Sequence, residues 1–159
     1  MPIPEFIVEL RRLVGHRELW LSGVTAVVRR GEHLLLVRRR DNGQWSPVTG
    51  IIDPGEEPAV AAAREAMEET GVEIRVDRLA SVGSGSPSGS VVSYPNGDSA
   101  RYLDLTFSCT WLSGEPYVAD DESLDARWWP IDELPPMAPV ILERIEAALS
   151  AEVAARFRT

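Results

Sequence analysis

The chain has 159 residues, 44% apolar and 26% charged, the size and balance of one globular domain over 1–159. Sixteen basic residues, all arginine, stand against twenty-five acidic ones, for a formal charge of −9. That balance argues against a long nucleic acid or an anionic membrane surface as partner, since both need a basic face. An anionic small ligand would have to be held by something other than net charge.

Phe6, Ile7, Leu10, Leu13 and Val14 are spaced for a helix over 4–14, with Gly15 at its end. Leu21–Arg29 and His33–Arg39 read as a β-hairpin turning at Gly31. Asp41-Asn42-Gly43 is a turn, and 54–58 is a loop whose Pro58 suits a helix start. Ala59–Thr70 is a helix stopped by Gly71. Val72–Val82 reads as a strand and 83–89 as a Gly/Ser-rich loop. Val91–Tyr94 and Arg101–Leu112 are expected to pair around 95–98. An acidic loop over 119–123, a strand over Ala126–Ile131 and a helix over 139–149 follow. Strands outnumber helices and the helices lie between them, so the expected class is α/β (α+β), a mixed sheet sandwiched by helices.

The single cysteine, Cys109, excludes an internal disulfide and a multi-cysteine zinc site. It lies in an expected strand and reads as a small buried residue. No apolar run approaches the roughly 20 residues that span a bilayer. The start lacks a basic segment followed by an apolar one, so the chain is expected to be cytoplasmic.

The informative stretch is Gly50 to Val72. At about 100° per residue, Glu65, Glu68 and Glu69 fall at i, i+3 and i+4 on one side of the helix. Val60, Ala63 and Met67 lie opposite and are expected to face the core. A fourth carboxylate, Glu56, precedes the helix, and Gly50 and Gly55 permit close backbone approach. Hard divalent cations such as Mg²⁺ take oxygen ligands of this kind, often shared with phosphate oxygens. The alternative is a solvated acidic face.

Read as Gly50, five residues, Glu56, seven residues, Arg64-Glu65-Ala66-Met67-Glu68-Glu69-Thr70-Gly71-Val72, the stretch resembles the Nudix box, G-x5-E-x7-R-E-U-x-E-E-x-G-U, where U is a bulky aliphatic. Every fixed position is met, and only Ala66 is smaller than the usual aliphatic. The resemblance implies a Nudix-type mixed sheet between helices. It also implies hydrolysis of a diphosphate linkage in a small nucleoside diphosphate derivative with Mg²⁺ or Mn²⁺, two or more ions when substrate is bound. It assigns metal binding to Glu65, Glu68 and Glu69, completed or supported by the Gly50 carbonyl and Glu56, with Arg64 orienting the carboxylates. The base is Glu68 or Glu69, or an acidic residue of the 120–123 loop, where Glu122 is favoured.

On the substrate side, alternation sets Arg39 apart from Arg38 and Arg40, and the resemblance makes Arg39 a nucleotide contact. Trp45, like Trp20, either stacks on a base or packs in the core. Pro87, fifteen residues past Val72, matches the mark of the ADP-ribose-hydrolysing branch, so an ADP-ribose-like substrate is favoured. Asp98 reads as a hairpin-turn residue or as a substrate contact. The alternatives are a (deoxy)nucleoside triphosphate pyrophosphohydrolase and a nucleotide sensor without turnover. The apolar N-terminal helix packs on its own domain or, in a homodimer, on a second copy.

Overall fold

A computed structural model describes residues 3–84, 91–94 and 96–159. Pro87 lies outside them, as does most of the expected 83–89 loop. The described chain runs α1 (Glu5–Val14), β1 (Leu19–Arg30), β2 (His33–Arg39), β3 (Trp45–Ser46), β4 (Val48–Ile51), α2 (Pro58–Thr70), β5 (Glu73–Gly83), β6 (Val92–Ser93), β7 (Ser99–Ser113), β8 (Ser123–Pro130), a 3₁₀ turn (Ile131–Glu133) and α3 (Pro139–Leu149). The strands form one mixed sheet along the path β3-β2-β1-β7-β5, with β4 on β1, β6 on β7 and β8 on β2. The long central pairing, β1 with β7, is parallel from Leu19↔Ala100 to Arg29↔Thr110, and every other strand pair is antiparallel.

Both faces of β1 are buried from Gly23 to Val28, as expected of a strand covered on two sides. Its even-numbered residues Val24, Ala26 and Val28 pack with Ala61, Ala62 and Ala66 of α2. On the other face Val27 packs with Leu34, Leu36 and Ile145 of α3, and Leu21 with Ile7 of α1. One helix therefore covers one face, and two helices share the other with a cleft between them.

The hairpin turns at Gly31, whose φ of 59° suits the first central position of a two-residue loop. The chain at 45–51, which carries no strand signal in the sequence, forms β3 and β4. These are two and four residues long and interrupted by Pro47, too short to show alternation. The last strand starts at Ser123, three residues earlier than its apolar pattern implies, because β2 pairs with it as far as Arg39↔Ser123. Cys109 is buried, and burial pushes its thiol up to about 12, which suits a packing role.

Candidate active site

The helix α2 presents a different face to the sheet from the one its apolar residues imply. Glu65 (1% exposed) and Glu69 (4%) are buried with Ala61, Ala62, Ala66 and Thr70, whereas Val60 (58%) and Met67 (47%) face solvent. Only Ala63 of the expected core triad is partly packed. The three alanines make the helix thin where it meets the sheet, so its backbone comes close and carboxylates enter beside it. Gly50 completes the arrangement. A Cβ there would lie 2.0 Å from Glu65 Cδ, so the strand can pass the carboxylate only because residue 50 has no side chain. Gly55, by contrast, has open space where a Cβ would stand, and its φ of 84° serves the turn.

Arg64 is the centre of the cluster. Its Nε and Nη2 donate to the two oxygens of Glu56 at 2.8 and 2.9 Å, and its Nη1 donates to Glu65 at 3.0 Å and Glu68 at 3.1 Å. Nη2 also donates to the Ile51 carbonyl at 3.1 Å, tying α2 to the end of β4. Among the described residues no three acidic side chains form a ready-made cation cluster, because Glu56, Glu65 and Glu68 all turn to this guanidinium. Yet Glu65 keeps one buried oxygen, Oε2, without a hydrogen-bond partner. A buried orphan carboxylate oxygen is costly and is the kind of atom a cation satisfies. Burial pushes Glu65 up to about 7 against the pull of Arg64. Burial, reinforced by Glu65, Asp120 and Glu122, pushes Glu69 up to about 9.

The acidic loop is brought over this helix by backbone bonds. Tyr117 N–H donates to the Thr70 carbonyl at 3.1 Å and Ala119 N–H to the Glu69 carbonyl at 3.2 Å, satisfying carbonyls that the end of α2 leaves open. Arg40 N–H donates to the Glu122 carbonyl at 2.8 Å, fixing the loop from the other side. Asp120 and Glu122 thereby raise Glu69 electrostatically. Arg39 is half-buried between exposed Arg38 and Arg40. It holds Asp41 with two bonds and Thr49 Oγ1 with a third at 3.1 Å, and it feels the charges of Glu69 and Glu122.

Glu65 sits between two concavities. An open groove of about 650 Å³ is lined by Arg64, Glu65, Glu68, Asp53 and Asp120. A cavity of about 510 Å³ runs from Gly50, Glu65, Arg39 and Glu122 across the sheet into the cleft between α1 and α3. Trp45 lines that cavity but packs edge-on against Trp129, with centroids 5.2 Å apart. Trp20 is exposed. Asp98 stands at the rim, its carboxylate engaged by His16 at 2.8 Å, Arg11 at 3.4 Å and Asn96 at 3.0 Å.

The profile of the NUDIX domain matches residues 20–149. The chain belongs to the Nudix family. A MutT-like protein of Streptomyces ambofaciens is 35% identical over 97 residues, covering 58% of this chain and 63% of that protein. An NAD-capped RNA hydrolase, NudC, of Pseudomonas syringae pv. tomato is 34% identical over 113 residues, 70% of this chain and 36% of its own length. The chain thus spans less than two thirds of either relative. Among solved structures, a UDP-X diphosphatase superposes with a TM-score of 0.64 at 25% identity, over 91% of this chain and 68% of that one. No described helix is long and apolar enough to cross a membrane.

The Nudix box accounts for one wall of the site, and the far end of the cavity is built from residues outside it. There Asp104 of β7 accepts hydrogen bonds from Thr25 and Thr106, each at 2.8 Å, and lies 3.2 Å from Arg144 of α3. Each was signalled weakly. Asp104 is a lone charge in an otherwise inward-facing strand pattern. Arg144 occupies an apolar stripe of α3, three residues after Ile141 and four before Ala148.

Proposed function

We propose that this Nudix domain hydrolyses the diphosphate linkage of a small nucleoside diphosphate derivative in a metal-dependent reaction. The observation that carries the proposal is Glu65. Its carboxylate is buried between the two concavities, fitted against Gly50, with one oxygen unsatisfied and Glu68, Glu69 and the 120–123 loop around it. The similarity to an NAD-capped RNA hydrolase and to a UDP-X diphosphatase supports the same bond class.

Glu65, Glu68 and Glu69, with the Gly50 carbonyl, would hold the metal. Mg²⁺ or Mn²⁺ bound there, two or more ions with substrate, supplies charge neutralisation at phosphorus and an activated water. Glu56 acts through Arg64, whose guanidinium it holds with both oxygens. Arg64 in turn orients Glu65 and Glu68, keeping three acids together before a cation arrives. Arg39, fixed by Asp41 and Thr49, meets the substrate's phosphates at the mouth of the cavity. Glu122, which lines the same cavity, takes the proton of the attacking water, the general-base role.

The ADP-ribose-like preference rests on Pro87, and no described side chain adds to it. The test is a screen with Mg²⁺ over ADP-ribose, dinucleotides, sugar nucleotides and (deoxy)nucleoside triphosphates, with product analysis. Two monophosphate products mark a diphosphate-derivative hydrolase. A nucleoside monophosphate plus pyrophosphate marks the triphosphate alternative. Binding without cleavage marks a sensor and contradicts the proposal.

A further inference from the structure

We infer that Arg144 reads the nucleobase, and that the cleft between α1 and α3 takes a base presenting a carbonyl oxygen, a 6-oxopurine or a 4-oxopyrimidine, over adenine. The inference rests on the nucleotide-hydrolase reading and names the substrate class of that same site, an oxo base in place of the adenine of the ADP-ribose-like preference, which rests on Pro87 alone.

The cleft is continuous with the Glu65 end of the site, so a substrate whose diphosphate lies at Glu65 extends its nucleoside into it. Its walls carry the apolar side chains of Ile7, Ile51 and Ile141. On its floor Gly23 leaves room for the Tyr102 ring, which a Cβ would meet at 3.2 Å. The whole cavity, about 510 Å³ from the Glu65 end to the cleft and mostly apolar in its walls, is of a size that takes a nucleotide.

The polar group at the end of the cleft has a definite chemistry. Arg144 Nη1 lies 3.1 Å from Thr25 Oγ1 and 3.2 Å from Asp104 Oδ1, and its side chain is largely buried. Asp104 is itself braced by Thr25 and Thr106. The guanidinium is therefore held on one edge only, and among the described residues no hydrogen bond engages its other donors. Because Asp104 balances its charge, the spot is neutral overall and has no electrostatic preference for another phosphate. It offers donors, and a guanidinium has no acceptor at all.

Guanine presents two adjacent acceptors, O6 and N7, to such an edge, and uracil presents O4. Adenine presents an amino group beside N7, so one donor would face another. The carboxylate beside Arg144 is already engaged. Asp104 takes the two threonines and Arg144, while the Asn96 side-chain amide bonds Asp98 through both its oxygen and its nitrogen. The competing view is that Arg144–Asp104 only pins α3 to the sheet.

The two views part on base selectivity. Calorimetric binding of GMP, UMP and AMP to the wild-type protein, and to Arg144→Gln, reads it without turnover. The expected result is tighter binding of GMP and UMP than AMP by about tenfold, with that difference abolished in the variant while AMP binding holds. Equal affinity for the three, or an equal loss for all three in the variant, would overturn the inference. If Arg144→Gln unfolds because Asp104 is left unpaired, Arg144→Gln combined with Asp104→Asn removes both charges together and is read instead. Diphosphate derivatives of guanosine, uridine and adenosine are then assayed with Mg²⁺. Cleavage of none of them, with the binding pattern intact, would end the hydrolase reading and leave the base subsite standing.

Discussion

The two faces of the sheet handle buried charge in opposite ways. Under α2, acids accumulate: Glu65 and Glu69 are buried, Glu68 is at the edge, the 120–123 loop adds more, and Arg64 and Arg39 offset only part. Under α1 and α3 the buried acid Asp104 has its arginine beside it and a hydroxyl donor on each oxygen. One face is left electrostatically incomplete, and in the proposed reaction a cation would complete it. The other is complete in itself and is suited to a neutral group. The difference would let a chain of net charge −9 hold the anion of the proposed reaction. In the proposed reaction the acids would attract the metal, and the metal the diphosphate.

Three perturbations sharpen the contrast, from the largest expected effect downward. Glu122→Gln removes the proposed base, so kcat falls by about a hundredfold and the acidic limb of the pH–rate profile flattens. An unchanged profile returns the base to Glu68 or Glu69. Gly50→Ala forces a methyl group into the Glu65 carboxylate. It is expected to cost roughly 1–3 kcal/mol of stability and about tenfold in activity, measured by thermal melts and initial rates. Full activity would show that Glu65 need not sit where it does.

The smallest effect is the pH dependence of the metal-free protein. Glu69, near 4.5 when unfolded and pushed up to about 9 when folded, binds more protons folded than unfolded. Its contribution is thus fully present below about pH 4.5 and is lost as pH rises toward 9. Glu69→Gln should flatten that decline, and saturating Mg²⁺ should do the same in the wild type. A decline untouched by either would place the acid-face charge elsewhere.

Much of this was legible in the chain. The spacing of the box located the acids, and Pro58 and Gly71 bounded the helix because proline and glycine act through backbone geometry alone. The orientation of α2 was not legible. The rule that apolar residues face inward failed at Val60 and Met67, and the acids were buried in their place. Local rules are broken where a site requires it. The small β3 and β4 were hidden because two to four residues cannot show a period. The Asp104–Arg144 pair was hidden because its partners lie forty residues apart, on a strand and a helix that only the sheet topology brings together.

In the proposed reaction the α2 carboxylates hold a divalent cation for cleavage of a nucleoside diphosphate. The most direct measurement is Mg²⁺-dependent turnover of the substrate panel by the wild type and by Glu68→Gln, with folding checked by circular dichroism. The expected result is nucleoside monophosphate release by the wild type and a loss of roughly a hundredfold or more in the variant at saturating Mg²⁺. Near wild-type turnover in Glu68→Gln, or turnover that persists after chelation of the metal, would contradict it.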